Sequence, residues 1–242
     1  MAALTTICTR RCLDLVKAAN RARVVYVGTW LPEPLLQDTT AGDDSESELA
    51  ASLQTAFLLV LQRLSPKERA AYLLHEVFDT PYDEVARMLE LKQPACRQLV
   101  ARAKNNLQNE RVRFHPTQSQ QSALLDAFQS AVQNGDAGPL ASILAAEVRL
   151  TADGGGKVPA VLKDLSGVDA VATFITRRLN RYWRGFSWDK VPINGTYGAI
   201  IRDGAQATAS LSFAYDKSGK VTNIYIVRNP EKLAQLRAFN IH

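Results

Sequence analysis

Between Leu64 and Leu107 the chain reads LSPKERAAYLLHEVFDTPYDEVARMLELKQPACRQLVARAKNNL, and the order of caps, prolines and apolar residues in it admits few folds. Ser65-Pro66-Lys67-Glu68 sets a hydroxyl at an N-cap, a proline at the first helical position and a carboxylate three residues on, which starts a capped helix. Thr80-Pro81-Tyr82-Asp83 repeats the device with the shorter acid, so a second helix is predicted from there, capped by Thr80. Val85, Ala86 and Leu89 share one face of it. The helix breaks within Glu90-Leu91-Lys92-Gln93, and Pro94 opens a third. A turn this short between two short helices is the spacing of a helix-turn-helix.

Along the third helix Cys96, Leu99, Val100, Ala103 and Leu107 recur at helical period and are predicted to pack inward. Arg97, Gln98, Ala101, Arg102 and Asn105 then face out, with Lys92 and Gln93 at the entry. Arginine and glutamine reach base edges in a major groove, and lysine neutralises phosphates. The competing reading is a plain helical hairpin with a solvated basic face.

Composition agrees with an ordinary globular protein, 46% hydrophobic and 22% charged over 242 residues, long enough for one or two domains. The net charge of +5 favours a polyanionic partner. The three cysteines, Cys8, Cys12 and Cys96, cannot close a disulfide framework, which fits a reducing cytoplasm. No run of ~18 apolar residues suggests a membrane helix, and the first residues lack the pattern of a secretory signal. Cys8 and Cys12 share a helical face but have no further ligands nearby, so no metal or cofactor is expected.

Residues 4–27 read as an amphipathic helix that needs a surface to dock on. Trp30-Leu31-Pro32-Glu33-Pro34 is extended, because each proline restricts the residue before it. Residues 37–48 are acidic and polar and read as a flexible linker, and Leu53, Phe57, Leu58, Val60, Leu61 and Leu64 form the stripe of a helix leading into the helix-turn-helix. After Arg113 the pattern changes. Ser122–Val132 and Pro139–Ala146 read as helices, and Val168–Asn180 as another. Val148, Leu150 and Ala152 alternate as a strand does, as do Ala207, Ala209, Leu211 and Phe213. Ile193–Ile201 adds a strand, another ends near Val227, and Asp216-Lys217-Ser218-Gly219 turns between two of them. Together these spell an α+β domain, with helices on one face of a curved antiparallel sheet that encloses a pocket.

These residues resemble a known family. Residues 51–112 are similar to region 4 of the extracytoplasmic-function sigma factors and residues 4–27 to the end of their region 2. The α+β half resembles the SnoaL-like cone of the ketosteroid-isomerase type. One subgroup joins all three parts, and its marker motifs stand here as Trp30-Leu31-Pro32-Glu33-Pro34, Asp153-Gly154-Gly155-Gly156-Lys157 and Asn229-Pro230-Glu231-Lys232-Leu233. The resemblance implies a multidomain chain: 1–29 the end of region 2, 30–50 linker, 51–112 region 4, 113–118 linker, 119–233 the SnoaL-like domain and 234–242 a tail. It implies a transcription initiation factor whose partners are promoter DNA and the RNA polymerase core. Gln93, Arg97, Gln98 and Arg102 would read the upstream promoter element, Lys92 and Lys104 would hold phosphates, and the three markers would join the C-terminal domain to the linker and region 2. Because Met1 falls inside region 2 on this resemblance, weak or absent polymerase engagement and no open complex are expected.

Two other functions stay open. One is a ligand-sensing DNA-binding regulator that never engages polymerase; the other is a cyclase or isomerase, with Asp153 as base and Tyr197 as oxyanion donor. Against catalysis, Asp153 opens a glycine run and reads more simply as a turn residue bonding its own backbone. That run lacks the spacing of a phosphate loop. Lys157 or the glycine amides are instead expected to meet Glu33. Asn229 and Pro230 are expected to start a helix, with Leu236 and Phe239 docking back. Pairing of two copies across the open sheet face is also allowed, as is an unknown pocket ligand.

Overall fold

The computed structural model describes residues 2–23, 26–36, 58, 61, 64–108 and 116–237, which divide into two compact units. The acidic linker, most of the helix expected after Leu53, and Phe239 lie outside the described residues.

The first unit gathers α1 (Ala2–Arg23) with the helices around the turn. Ser65 caps α2 (Pro66–Tyr72): its hydroxyl accepts from the Glu68 amide at 3.3 Å, and the Glu68 carboxylate accepts from the Ser65 amide at 3.0 Å. α2 runs on into a π-helical turn, Leu73–Val77, and ends at Phe78. The next helix, α3 (Tyr82–Leu89), starts one residue later than expected, with Pro81 at its N-cap and no side-chain cap. The Thr80 hydroxyl turns back to the Phe78 carbonyl at 3.5 Å, so it is not available to α3. Glu90 adopts a left-handed conformation (φ 54°, ψ 48°) and closes α3, and α4 (Gln93–Gln108) follows after two residues. Ala71, Leu74, Val85, Ala86, Met88, Leu89, Cys96 and Val100 form one buried cluster, against which Leu13 of α1 packs. Each fully buried Val or Leu of such a cluster contributes roughly 1.5–3 kcal/mol. α1 therefore finds its docking surface on the helix-turn-helix itself, where Arg10 also pairs with Glu90 at 2.7 Å.

The second unit opens with α5 (Gln118–Asn134), capped reciprocally by Thr117 and Gln120 and ended by left-handed Gly135. A one-turn helix, α6 (Gly138–Ala141), leads into a six-stranded sheet: β1 (Leu144–Asp153), β2 (Leu165–Ser166), β3 (Ser187–Ile193), β4 (Thr196–Asp203), β5 (Gln206–Tyr215) and β6 (Val221–Val227), in the order β2-β1-β6-β5-β4-β3. Between β2 and β3 lie α7 (Val168–Thr173), a π-helical segment Phe174–Leu179 and α8 (Asn180–Trp183). This is the SnoaL-like, ketosteroid-isomerase-like α+β arrangement.

Three expectations about the sheet and the segment leading into it fail. The sheet is not wholly antiparallel, since β1 and β6 run parallel: the chain adds the short β2 beside β1, re-enters at the opposite edge with β3, and returns by hairpins to finish on the other side of β1. The helix expected to reach Ala146 stops at Ala141, because Leu144 pairs with Val221 in the sheet and that pairing overrides the helical preference of the alanines. The single strand expected over Ile193–Ile201 is a hairpin that turns at Asn194 (φ 49°) and Gly195 (φ 75°).

Strand residues alternate between two faces. Leu150, Ala152, Ala199, Ile201, Ala209, Leu211, Phe213, Ile224 and Ile226 join Leu124, Leu125, Phe128, Val171, Ile175 and Trp183 of the helices in one core. The alternate positions Thr151, Asp153, Ile200, Ser210, Ser212 and Val227 point to the outer face and are buried as well.

Candidate nucleic-acid interface and linker clamp

Along α4 the inward positions expected from periodicity are buried at Cys96, Val100, Ala103 and Leu107, with Leu99 half-buried. Burial pushes the Cys96 thiol above its ordinary pKa, so it stays a protonated packing group. Lys92, Gln93, Arg97, Gln98, Ala101, Arg102 and Asn105 are all exposed. The Arg97 guanidinium stands 5.5 Å from the centre of the Tyr82 ring, and Tyr82 in turn stacks on His75 at 3.7 Å. One column of side chains thus ties the π-helical turn after α2 to α3 and α4, and limits the freedom of Arg97. His75 is itself placed by Nδ1, 2.9 Å from the Thr80 carbonyl. Lys104 differs from the other basic residues: its ammonium lies 2.8 Å from the Glu76 carboxylate and is half-buried. Sequence reasoning misses the parts played by Tyr82, His75 and Glu76, since contact between helices leaves no mark in periodicity.

The second site is in the α+β unit, where the extended stretch 27–36 lies as a strap on the outer face of the sheet. Asp153 is fully buried at the end of β1, and its two oxygens have different partners. Oδ1 accepts from the Gly155 amide at 2.9 Å, which is the turn role expected of it. Oδ2 accepts from the Leu31 amide at 2.9 Å and from the Lys232 ammonium at 2.7 Å. The Lys232 ammonium also donates to the Leu31 carbonyl and stands 4.0 Å from the centre of the Trp30 ring. Leu31 is wholly buried. All three marker motifs therefore meet at one buried ion pair.

Space around the glycines explains why the loop needs them. Gly155 (φ 62°) has the Asn229 side chain 2.4 Å from where a Cβ would stand, and Gly156 (φ 70°) has Val27 of the strap at 2.9 Å. Any side chain would add left-handed strain and a clash. Asn229 holds the next turn, its Oδ1 accepting from the Glu231 amide at 3.1 Å and its carbonyl from the Lys232 and Leu233 amides. The expected helix at Pro230 is a turn followed by a 3-10 turn over Ala234–Arg237, because Lys232 and Leu233 are both drawn inward. Leu236 docks back as expected.

One contact expected from the sequence does not form. The Lys157 ammonium pairs with Glu231, while Glu33 is exposed; the turn at Gly154–Gly156 carries Lys157 toward the Asn229–Leu233 turn instead of the strap. At its other end the strap meets Asn194, a residue outside the three markers. Asn194 Oδ1 accepts from the Leu35 amide at 2.9 Å, Nδ2 donates to the Glu33 carbonyl at 3.3 Å, and the Asn194 amide donates to the Leu35 carbonyl at 2.9 Å. Leu36 then bridges Ile193 as a short antiparallel pair. The sequence signal for Asn194 is the Asn-Gly dipeptide of a hairpin turn.

Asp153 and Tyr197 do not form a catalytic pair. Asp153 is on the outer face and already engaged, whereas Tyr197 packs against the core on the inner face. Among the described residues no group of three or more His, Cys, Asp or Glu could hold a metal, and no helix is long and apolar enough to cross a membrane.

Known proteins resemble both halves. Residues 54–107 match the model for sigma-70, region 4. The chain is 33% identical over 240 residues to the ECF RNA polymerase sigma factor SigJ of Mycobacterium tuberculosis, covering 95% of this chain and 77% of that relative. The crystal structure of SigJ superposes with a TM-score of 0.73 at 31% identity, covering 96% of this chain and 82% of that one. With region 4 matched and both halves shared with SigJ, the chain belongs to the extracytoplasmic-function sigma factors, initiation subunits of RNA polymerase rather than enzymes, in the branch that carries a SnoaL-like domain.

Proposed function

We propose that α4 reads the upstream promoter element through Gln93, Arg97, Gln98 and Arg102, with Lys92 on a phosphate, and that the α+β unit regulates initiation by holding the strap. The observation that carries the first part is the exposed face of α4, on which Arg97 is braced by Tyr82. Lys104 joins the phosphate contacts only on leaving Glu76. In this proposal α1 is the end of region 2, residues 51–112 are region 4 and residues 119–233 the regulatory domain, and work on promoter DNA places the protein in the cytoplasm.

The strap in sequence joins α1 to region 4. Docking it on the sheet restrains the chain between two parts that must each meet promoter or polymerase. Binding it in cis also occupies the outer face that a second copy would use, so pairing across that face requires the strap to leave.

The test is selection of bound sequences from a random duplex library by the full chain, followed by titration of the selected site. Arg97→Ala is expected to relax base preference by about 1–3 kcal/mol at one position. Lys92→Ala is expected to weaken all sequences alike and lower the salt slope by about 1. Unchanged preference in both Arg97→Ala and Arg102→Ala would overturn this assignment of α4.

A further inference from the structure

In the α+β unit the helical segment from Phe174 to Arg184 buries one side and turns the other to solvent. Ile175, Leu179 and Trp183, spaced four residues apart, join the core. Trp183 stands edge-on to Trp188, with ring centres 6.1 Å apart, and Asn180 Nδ2 donates to the Val132 carbonyl of α5 at 2.7 Å. These residues fix the segment to the sheet and to α5 without using its solvent side. From Phe174 to Arg184 every exposed residue is either an arginine, at 177, 178, 181 and 184, or Tyr182.

Helical spacing stacks Arg181 on Arg177 and Tyr182 on Arg178, and Arg184 follows where the backbone becomes extended (ψ 122°). No Asp or Glu occurs between Asp169 and Asp189. Among the described residues none of these arginines has a carboxylate partner. An ordinary solvated helix face in the same chain is built differently: on α3, Arg87 Nη2 lies 3.3 Å from the Asp83 carboxylate and 3.9 Å from that of Glu84. Like charges one helical turn apart repel, so the arginine ridge weakens its own helix unless a partner brings negative charge.

We propose that this ridge is a second nucleic-acid contact, in which Arg177, Arg178, Arg181 and Arg184 hold phosphates of duplex DNA without reading its sequence. Guanidinium groups match phosphate oxygens, to which they donate two bonds at once, and the Tyr182 hydroxyl adds a donor of the kind that phosphates also accept. The centre of a contact between proteins is apolar and poor in charge, whereas here like charges stand side by side around one ring. A surface recognised by charge alone fits a polyanion. The proposal does not rest on α4 reading bases, because the ridge takes any sequence.

The experiment is fluorescence anisotropy of a labelled duplex of mixed sequence, titrated with the full chain at several salt concentrations. Arg177→Gln combined with Arg181→Gln is expected to lower affinity about tenfold at low salt, and the slope of log affinity against log salt by about 2. Arg177→Lys combined with Arg181→Lys keeps the charge and is expected to keep the slope. Lys163→Gln combined with Lys217→Gln removes the same charge from exposed positions off the ridge, and a small fraction of that change is expected. The loss from the arginine pair should recur in a chain already carrying Arg97→Ala and Arg102→Ala, which separates the ridge from the role of α4. Poly-glutamate of matched charge should compete poorly with the duplex. An unchanged slope in the Arg→Gln pair, an equal fall in the lysine pair, or competition by poly-glutamate as strong as by unlabelled duplex would each overturn the proposal, the last by making the ridge a docking surface for an acidic protein. Thermal melts verify that each variant is folded.

Discussion

The two faces of the sheet are built from alternate residues of the same strands, yet they hold their neighbours by different means. On the inner face Leu150, Leu211, Phe213 and Ile224 meet the helices through apolar contact, and such packing accepts changes of shape at moderate cost. On the outer face Asp153, Lys232 and Asn194 meet the strap through directed bonds. A buried charge that loses its partner has no comparable way to relax. The outer face therefore specifies one particular segment, whereas the inner face specifies a volume.

Removing a single charge should separate the two faces most clearly. Lys232→Met takes the ammonium away from the buried Asp153 carboxylate, and is expected to destabilise the α+β unit by about 3–5 kcal/mol in chemical denaturation. A loss well under that would mean the outer face is as forgiving as the core. Gly155→Ala comes next, at roughly 2–3 kcal/mol, from left-handed strain and the clash with Asn229; its melt should fall, and Asn229→Ala should recover part of the loss by making room. Asn194→Ala removes bonds to the strap without stranding a charge, and about 1–2 kcal/mol is expected from the same denaturation measurement.

On the inner face the expected sign changes. Tyr215→Phe deletes a donor without a partner among the described residues, so stability measured by denaturation should be equal or higher by up to about 1 kcal/mol. The smallest effect concerns pH. The Asp216 carboxylate at the β5–β6 turn is held below its usual pKa, chiefly by the Ser218 hydroxyl, with backbone amides adding to this. A lowered folded pKa gives stability above the unfolded value, near ~4, which is lost as pH falls through the folded one. Ser218→Ala should therefore flatten the acid limb of the stability curve slightly.

How much of this is legible in the sequence follows from how local each signal is. Ser65, Glu68 and the period of Cys96, Val100, Ala103 and Leu107 act within a few residues, and they locate the helix-turn-helix. Leu144–Ala146 reads as helical because its strand partner, Val221, is far away in sequence. The three markers stand out as motifs, but their pairing does not: Lys157 and Lys232 are both lysines beside a glycine loop or a turn, and only the path of the chain decides which one reaches the strap. Asp153 shows the limit, since the turn role read from Asp-Gly is real and the same carboxylate's second oxygen holds the strap.

Amide hydrogen exchange at Leu31 and Leu35 in the full chain reads the clamp at the atoms that form it. Both amides are expected to be protected; Lys232→Met should speed exchange at Leu31 by about tenfold or more relative to Leu35, and Asn194→Ala should do the reverse. Free exchange at both amides in the unmodified chain, or rates that neither substitution alters, would contradict a strap held on the outer face of the sheet.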